Sequence, residues 1–219
     1  VCALGQGALN QWLRGQADAG RTLAREGLSL ADELGHGYSG ATAAYYAALT
    51  FAGCGDTDSL EDASRRLAGL SDEHGMELLE KESRLFRGRV LWERGDPAGL
   101  PMLEQALVAV EDSQDLGFIF IYASWLAEAL FEQGRLDDVE RLTHRMLAHA
   151  RLGQELFLCE VHRWRGEVAA RRGDGVTALA SLDKARQLAQ HQGAVALALR
   201  AEASSLRAGR AEAESWLRE

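Results

Sequence analysis

The sequence predicts an all-α protein from its composition, the spacing of its apolar residues and the spacing of its glycines. The 219 residues include 36 Ala and 34 Leu, but 9 Val, 2 Ile and 6 Thr. Ala and Leu favour helices, whereas β-branched residues favour strands. Apolar residues recur at helical intervals, as at Ala123, Leu126, Ala127 and Leu130, without strict alternation. Helices without a sheet are therefore expected.

Eleven of the 23 glycines divide the chain into segments of about 20 residues. Gly15, Gly55, Gly95, Gly134, Gly173 and Gly209 form one series, and Gly35, Gly75, Gly117, Gly153 and Gly193 fall between them. Glycine reaches the left-handed conformation that ends helices without a Cβ clash. The spacing predicts eleven or twelve helices of about 16 residues, each roughly 24 Å long, in antiparallel pairs.

Acidic residues after several of these glycines predict where the next helices start. Asp56, Asp96 and Asp174 suit a first helical turn, where backbone N–H groups are unpaired. Pro97 suits the first helical position, because the N–H that it lacks is not needed there.

Each predicted pair of helices has too little apolar surface to be stable alone, so the pairs must stack on one another. The expected architecture is a right-handed solenoid of antiparallel helix pairs, forming a single domain over residues 1–219. The repeats are expected at about 1–36, 37–76, 77–117, 118–154, 155–193 and 194–219. The first residue is Val rather than Met, which suggests a piece of a longer protein.

Small residues recur in the first helix of each predicted pair, seven residues before the glycine that ends it. They are Ala8, Ala48, Gly88, Ala127 and Gly166. Two places in the second helices are filled by Gly20 and Gly27, by Val139 and Met146, and by Ala178 and Ala185. This pattern resembles the tetratricopeptide repeat, although that repeat has about 34 residues and closes with a proline that is missing here.

Two longer stretches carry a more specific resemblance. "LLEKESRLFRGRVLWERGDPAG" and "VHRWRGEVAARRGD" are similar to repeat arrays at the C-terminal end of large bacterial signalling proteins. Those proteins are LuxR-type ATP-dependent transcriptional activators and adenylate cyclases. The resemblance implies a non-catalytic interaction or sensor module of a bacterial signal-transduction or transcriptional regulator.

The resemblance also implies which residues line a concave groove, at the second, fifth, ninth and twelfth places of the first helices. These residues are Leu9, Trp12, Tyr45, Leu49, Leu85, Arg89, Trp92, Ser124, Glu128, Phe131, Glu160, Arg163 and Glu167. Aromatic and Arg side chains are the usual anchors of interfaces. We therefore expect the groove to bind a protein partner or another regulatory domain of the same protein.

Two alternatives stay open for this groove. A small-molecule effector could occupy it in place of a protein partner. Alternatively, Trp12, Trp92 and Phe131 only pack between neighbouring repeats, because large side chains dominate helix packing as well as interfaces.

Charge, hydropathy and cysteine content argue against other classes of partner. The net charge of −9 repels phosphate backbones, so no direct contact with nucleic acid is expected. No apolar run approaches the roughly 18 residues that span a bilayer, and no secretory leader begins the chain. Cys2, Cys54 and Cys159 are odd in number and far apart, which favours a reducing, cytoplasmic setting.

No motif in the sequence indicates catalysis, a cofactor or a metal. "GHGYSG", residues 35–40, matches G-x-G-x-x-G but follows a predicted helix end instead of a strand. "DTDSLED", residues 56–62, fails the calcium-loop pattern at Leu60 and Glu61. His144 and His149 are five residues apart and diverge on a helix. We therefore expect no cofactor, no metal and no enzymatic activity.

Overall fold

A computed structural model describes residues 1–113, 117–150, 155 and 157–216, with side chains described up to residue 209. These residues form eleven helices and no strand, which confirms the all-α class. The helices are α1 (Cys2–Leu13), α2 (Ala17–Leu34), α3 (Gly37–Cys54), α4 (Thr57–Glu73), α5 (Glu77–Glu93), α6 (Gly99–Asp112), α7 (Ile119–Glu132), α8 (Leu136–Ala150), α9 (Leu158–Arg171), α10 (Gly175–His191) and α11 (Val195–Trp216). No helix of the described ranges is long and apolar enough to cross a membrane.

Eight of the eleven predicted helix-ending glycines lie just beyond a helix with a positive φ. They are Gly15, Gly35, Gly55, Gly75, Gly95, Gly134, Gly173 and Gly193, with φ between 58° and 81°. Gly117 lies in the turn before α7, and Gly153 falls outside the described residues. The prediction for Gly209 is wrong, because α11 continues through it to Trp216. Helix-favouring Ala, Arg and Glu surround Gly209, so its cost of about 1 kcal/mol does not end the helix.

Side-chain caps confirm two of the three predicted helix starts. Asp56 accepts a hydrogen bond from the backbone N–H of Ser59 at 3.2 Å, and Asp174 accepts one from Thr177 at 3.0 Å. The prediction for Pro97 is wrong, because α6 begins two residues later, at Gly99. The N–H of Gly99 donates to the carbonyl of Asp96 at 3.0 Å, so Asp96 and Pro97 form a separate turn ahead of the helix.

The segment that matches the dinucleotide-binding fingerprint consists of helix ends and a short turn. As predicted, a helix precedes it: α2 ends at Leu34 and Gly35 is left-handed. The imidazole of His36 then accepts a hydrogen bond from the N–H of Ser39 and caps α3.

The helices cluster into two compact units, Val1–Gln114 and Asp115–Glu219. In the first unit, α1 contacts α3 and α3 contacts α5, while α2 and α4 each pack against the helices before and after them. In the second unit, α7 contacts α9 and α9 contacts α11. There too, α8 and α10 each pack against the helices before and after them. The odd-numbered helices of each unit therefore form a layer of their own.

The glycines predicted inside the first helices lie at close contacts between paired helices. A Cβ on Gly88 would lie 3.0 Å from Cγ of Leu103 in α6. A Cβ on Gly166 would lie 2.5 Å from Cγ of Leu182 and 3.1 Å from the carbonyl oxygen of Ala178, both in α10. The alanines predicted at the same place, Ala8, Ala48 and Ala127, are buried. The predicted close helix contacts at Gly88 and Gly166 are therefore confirmed.

An equivalent ion-pair arrangement joins one helix pair to the next in both units. In the first, the guanidinium of Arg94, just after α5, contacts Asp58 of α4 at 2.6 Å and Glu61 at 3.0 Å. In the second, Arg172, just after α9, contacts Glu140 of α8 at 2.8 Å. Asp137 is the other partner of Arg172. Both arrangements link the first turn of an even-numbered helix to the end of the following odd-numbered helix.

Candidate functional site

All the residues predicted to line a groove lie on odd-numbered helices, in two sets that belong to different units. Face 1, in the first unit, comprises Leu9, Trp12, Tyr45, Leu49, Leu85, Arg89 and Trp92. Face 2, in the second unit, comprises Ser124, Glu128, Phe131, Glu160, Arg163 and Glu167. The binding role of both faces stays a prediction.

Much of face 1 is buried between its helices. Leu9, Trp12, Tyr45, Leu49 and Leu85 are all buried. The ring of Trp12 lies so close to Gly53 of α3 that a Cβ on this glycine would collide with it. Trp12 therefore packs between two neighbouring odd-numbered helices, in line with the alternative that assigns it to packing.

Tyr45 joins α3 to α5 through both its hydroxyl and its ring. The hydroxyl donates a hydrogen bond to Oε1 of Glu82 at 3.0 Å. Its ring meets that of Phe86 edge-on, with centroids 5.8 Å apart. Glu82 is buried, and the sequence did not predict it as a residue of this site. Because a buried carboxylate needs a partner, the Tyr45–Glu82 bond fixes how these two helices meet.

The accessible end of face 1 is formed by Arg89 and Trp92, which are both half-buried. The guanidinium carbon of Arg89 lies 4.8 Å from the centroid of the Trp92 ring. Nε of Arg89 also donates to Oε1 of Glu93 at 2.5 Å, and Oε2 of Glu93 accepts from Thr57 at 2.7 Å. These contacts hold an aromatic ring and a cation in a fixed relative position.

Face 2 contains a buried polar network that starts at Glu160. Arg163 donates to both carboxylate oxygens of Glu160, from Nε at 2.9 Å and from Nη2 at 2.8 Å. Ser124 donates to Oε2 of the same carboxylate at 2.9 Å and accepts from the indole Nε1 of Trp164 at 2.9 Å. Arg200 of α11 lies 3.7 Å from Glu160. The network thus crosses α7, α9 and α11.

The two buried charged side chains of this network stay ionised because they pair with each other. Glu160 is 1% exposed and Arg163 is 8% exposed. Burial by itself raises the pKa of the Glu160 carboxyl, but Arg163, Arg200 and Ser124 outweigh it, and the pKa falls to about 2. Burial likewise lowers the pKa of Arg163, but Glu160 and Glu167 outweigh it and raise this pKa. Both groups are therefore ionised at neutral pH.

A second part of face 2 is closer to the surface and is centred on Glu167. Its Oε1 accepts from Ser204 and from Nη2 of Arg207, both at 2.5 Å. Phe131 is half-buried, and its ring lies 5.5 Å from that of Trp164. The guanidinium carbon of the exposed Arg171 lies 4.6 Å from the centroid of Phe131. Face 2 therefore ends, like face 1, in an aromatic ring held against an Arg.

The structure brings together the face 2 residues predicted from the sequence and adds four that were missed. The missed residues are Trp164, Arg200, Ser204 and Arg207, each bonded to a predicted residue. The sequence signal that could have found them is spacing, because each of their contacts joins residues 37 to 40 apart, about one repeat. Glu128 is half-buried, and its charge contributes to the raised pKa of Arg163.

Cys159 adjoins Glu160 on α9, and its side chain is buried. Burial raises the pKa of the Cys159 thiol to about 12, so the thiol is protonated at neutral pH. Within the described ranges, no group of three or more His, Cys, Asp and Glu side chains is placed to hold a metal ion.

Comparison with known proteins gives little further guidance. No protein-family model matches the chain. An uncharacterized protein of Rhizobium meliloti (strain 1021) is 28% identical over 207 residues, which is 93% of this chain. The chain spans 20% of the length of that protein.

Proposed function

We propose that this chain is a non-catalytic interaction or sensor module of a bacterial signal-transduction or transcriptional regulator in the cytoplasm. Its helix pairs stack as a right-handed solenoid similar to tetratricopeptide repeats. The accessible residues of faces 1 and 2 bind a protein partner or another regulatory domain. The layer of odd-numbered helices in each unit supports this proposal, because side chains on such a layer are presented together.

The observation that carries the proposal is the pairing of an aromatic ring with an Arg on both faces. Trp92 with Arg89 and Phe131 with Arg171 each combine the two kinds of side chain that most often dominate binding energy. Their packing fixes them before a partner arrives, so little side-chain entropy is lost on binding. Trp92 and Phe131 are half-buried, so each keeps some surface for a partner.

The test replaces these rings one at a time and measures partner capture. A photo-crosslinking residue at position 92 or 131 should capture the partner in cells, whereas the same residue at Tyr38 should not. Tyr38 is the matched control, because it is an exposed aromatic residue that belongs to neither face. Trp92→Ala and Phe131→Ala should each reduce capture. Unchanged capture by both folded variants would refute the role of the faces.

A small-molecule effector is the second candidate function. A groove of about 620 Å³ in the first unit has the size of small-molecule sites, roughly 300–1,000 Å³, but it is not the groove of faces 1 and 2 in which the sequence places this effector. This groove lies between α4 and α5, away from face 1. A thermal-shift screen of metabolites tests this candidate: a ligand at about 100 times its Kd adds about 2.7 kcal/mol to stability.

A further inference from the structure

The groove between α4 and α5, called the α4/α5 groove below, is separate from face 1. Arg87 lines it and lies two residues from both Leu85 and Arg89 of face 1. Two residues correspond to about 200° around a helix, so the groove and face 1 lie on opposite sides of α5. A ligand in the groove would therefore not compete with a partner on face 1.

The floor of the α4/α5 groove combines polar and apolar groups. Ser64 of α4 and Ser83 of α5 are each 4% exposed, and Val90 is also buried. The hydroxyl of Ser64 donates to the carbonyl of Ser83 at 3.5 Å, which places these two residues at the same level. The hydroxyl of Ser83 in turn donates to the carbonyl of Glu80 at 2.7 Å, so the floor offers hydroxyl oxygens as acceptors for amide N–H groups, beside the apolar Val90.

The rim of the groove carries two charges that are not neutralised within the described part of the protein. Arg65 is paired with Glu61 at 3.0 Å, and Arg84 is paired with Glu80 at 2.7 Å. Neither Arg87 nor Asp72 has a side-chain hydrogen bond or ion pair with any residue of the described part of the chain. The groove therefore presents one available guanidinium and one available carboxylate.

The separation of these two charges sets the length of a matching ligand. Asp72 lies eight residues beyond Ser64 on α4, about 12 Å along the helix. Arg87 lies four residues beyond Ser83 on α5, about 6 Å in the opposite direction, because the two helices are joined by a tight turn. The two backbone levels are thus about 18 Å apart, and both residues line the groove.

We propose that the α4/α5 groove binds a short peptide of three to five residues. An extended chain spans roughly 3.3–3.6 Å per residue, so such a peptide covers about 10–18 Å. Its N-terminal ammonium contacts Asp72 and its C-terminal carboxylate contacts Arg87. Its backbone lies over Ser64 and Ser83.

The test uses the whole chain and alanine-based peptides of one to six residues in calorimetric titrations at low salt. Saturable binding should be strongest at three to five residues. N-acetylation or C-amidation of the best peptide should weaken binding about fivefold, as expected for loss of one exposed ion pair. Binding that is absent at every length, or indifferent to blocked ends, would overturn the proposal.

Variants assign each end of the peptide to its rim residue. Arg87→Gln should weaken peptide binding about fivefold, and C-amidation of the peptide should then have no further effect. Asp72→Asn should also weaken binding about fivefold, and N-acetylation should then have no further effect. Arg14→Gln and Glu73→Gln are matched controls, because both residues are exposed and neither lines the groove. An unchanged affinity in Arg87→Gln and Asp72→Asn would refute the site. If Trp92→Ala binds the peptide with unchanged affinity, the α4/α5 groove and face 1 are distinct binding sites.

Discussion

The hydroxyl of Ser124 on α7 donates a 2.9 Å hydrogen bond to the buried carboxylate of Glu160 on α9. The same oxygen accepts a hydrogen bond from the indole of Trp164. One small side chain therefore satisfies a buried carboxylate and a buried indole on the neighbouring helix. Because unsatisfied buried groups are costly, the bonds of Ser124 determine how α7 and α9 can pack.

Ser124→Ala should destabilise the protein by about 1–3 kcal/mol, because it removes a partner from Glu160 and from Trp164 at once. Urea unfolding monitored by circular dichroism measures this cost. Ser205→Ala is the control, because the hydroxyl of Ser205, among the described residues, bonds only to the carbonyl of Ala201 within α11. Equal stability of the two variants would contradict the role of Ser124.

Glu160 should make stability depend on pH below about 5. The carboxyl has a pKa of about 2 in the folded protein and an ordinary value of 4.5, so the unfolded chain binds the proton first. Stability is therefore full above about pH 5 and falls as the pH drops towards 2, by on the order of 2–3 kcal/mol. Urea unfolding between pH 7 and pH 3 measures this loss.

Glu160→Gln should remove that component of the pH dependence. It should also destabilise the protein at pH 7 by about 3–5 kcal/mol, because Arg163 stays buried without its main partner. A variant that keeps the wild-type pH profile would show that another carboxyl is responsible.

His162 should contribute a second loss of stability at higher pH. Burial, together with the charges of Arg165 and Lys184, lowers the pKa of its imidazole to about 4 from 6.5. The unfolded chain therefore binds this proton at a higher pH than the folded chain, and stability falls as the pH drops from about 6.5 to 4. An NMR titration of the ring protons measures the pKa, and a midpoint near 6.5 would refute the prediction.

Gly88→Leu should cost about 1–3 kcal/mol by overpacking the contact with Leu103 of α6. Gly69 in α4 provides the opposite case, because a Cβ added there would meet no side chain and no neighbouring helix within 4 Å. Gly69→Ala should therefore stabilise the protein by about 0.5–1 kcal/mol through its effect on helix formation. Melting temperatures test both variants, and a shift of the same sign in both would contradict the register.

The helices and their register could be predicted from the sequence because glycine acts locally. A left-handed residue such as Gly134 ends a helix with little regard to distant contacts. Gly209 shows the limit of this reasoning, because the helix propensity of its neighbours outweighs one unfavourable residue. Small residues such as Gly166 also marked the close helix contacts correctly.

The candidate site was less predictable, because helical periodicity shows which side a residue occupies but not what covers that side. Trp12 and Leu85 lie on predicted helices yet are buried by neighbouring helices. Trp164 was missed because its indole bonds to a residue 40 positions earlier. Such a contact depends on tertiary packing, which no local pattern specifies.

The ion pairs of Arg94 and Arg172 give the chain two equivalent junctions. Asp58 and Glu61 correspond to Asp137 and Glu140 with a shift of 79 residues, and the two arginines correspond with a shift of 78. The two junctions thus recur after about two repeats, as expected if a two-repeat block was once duplicated.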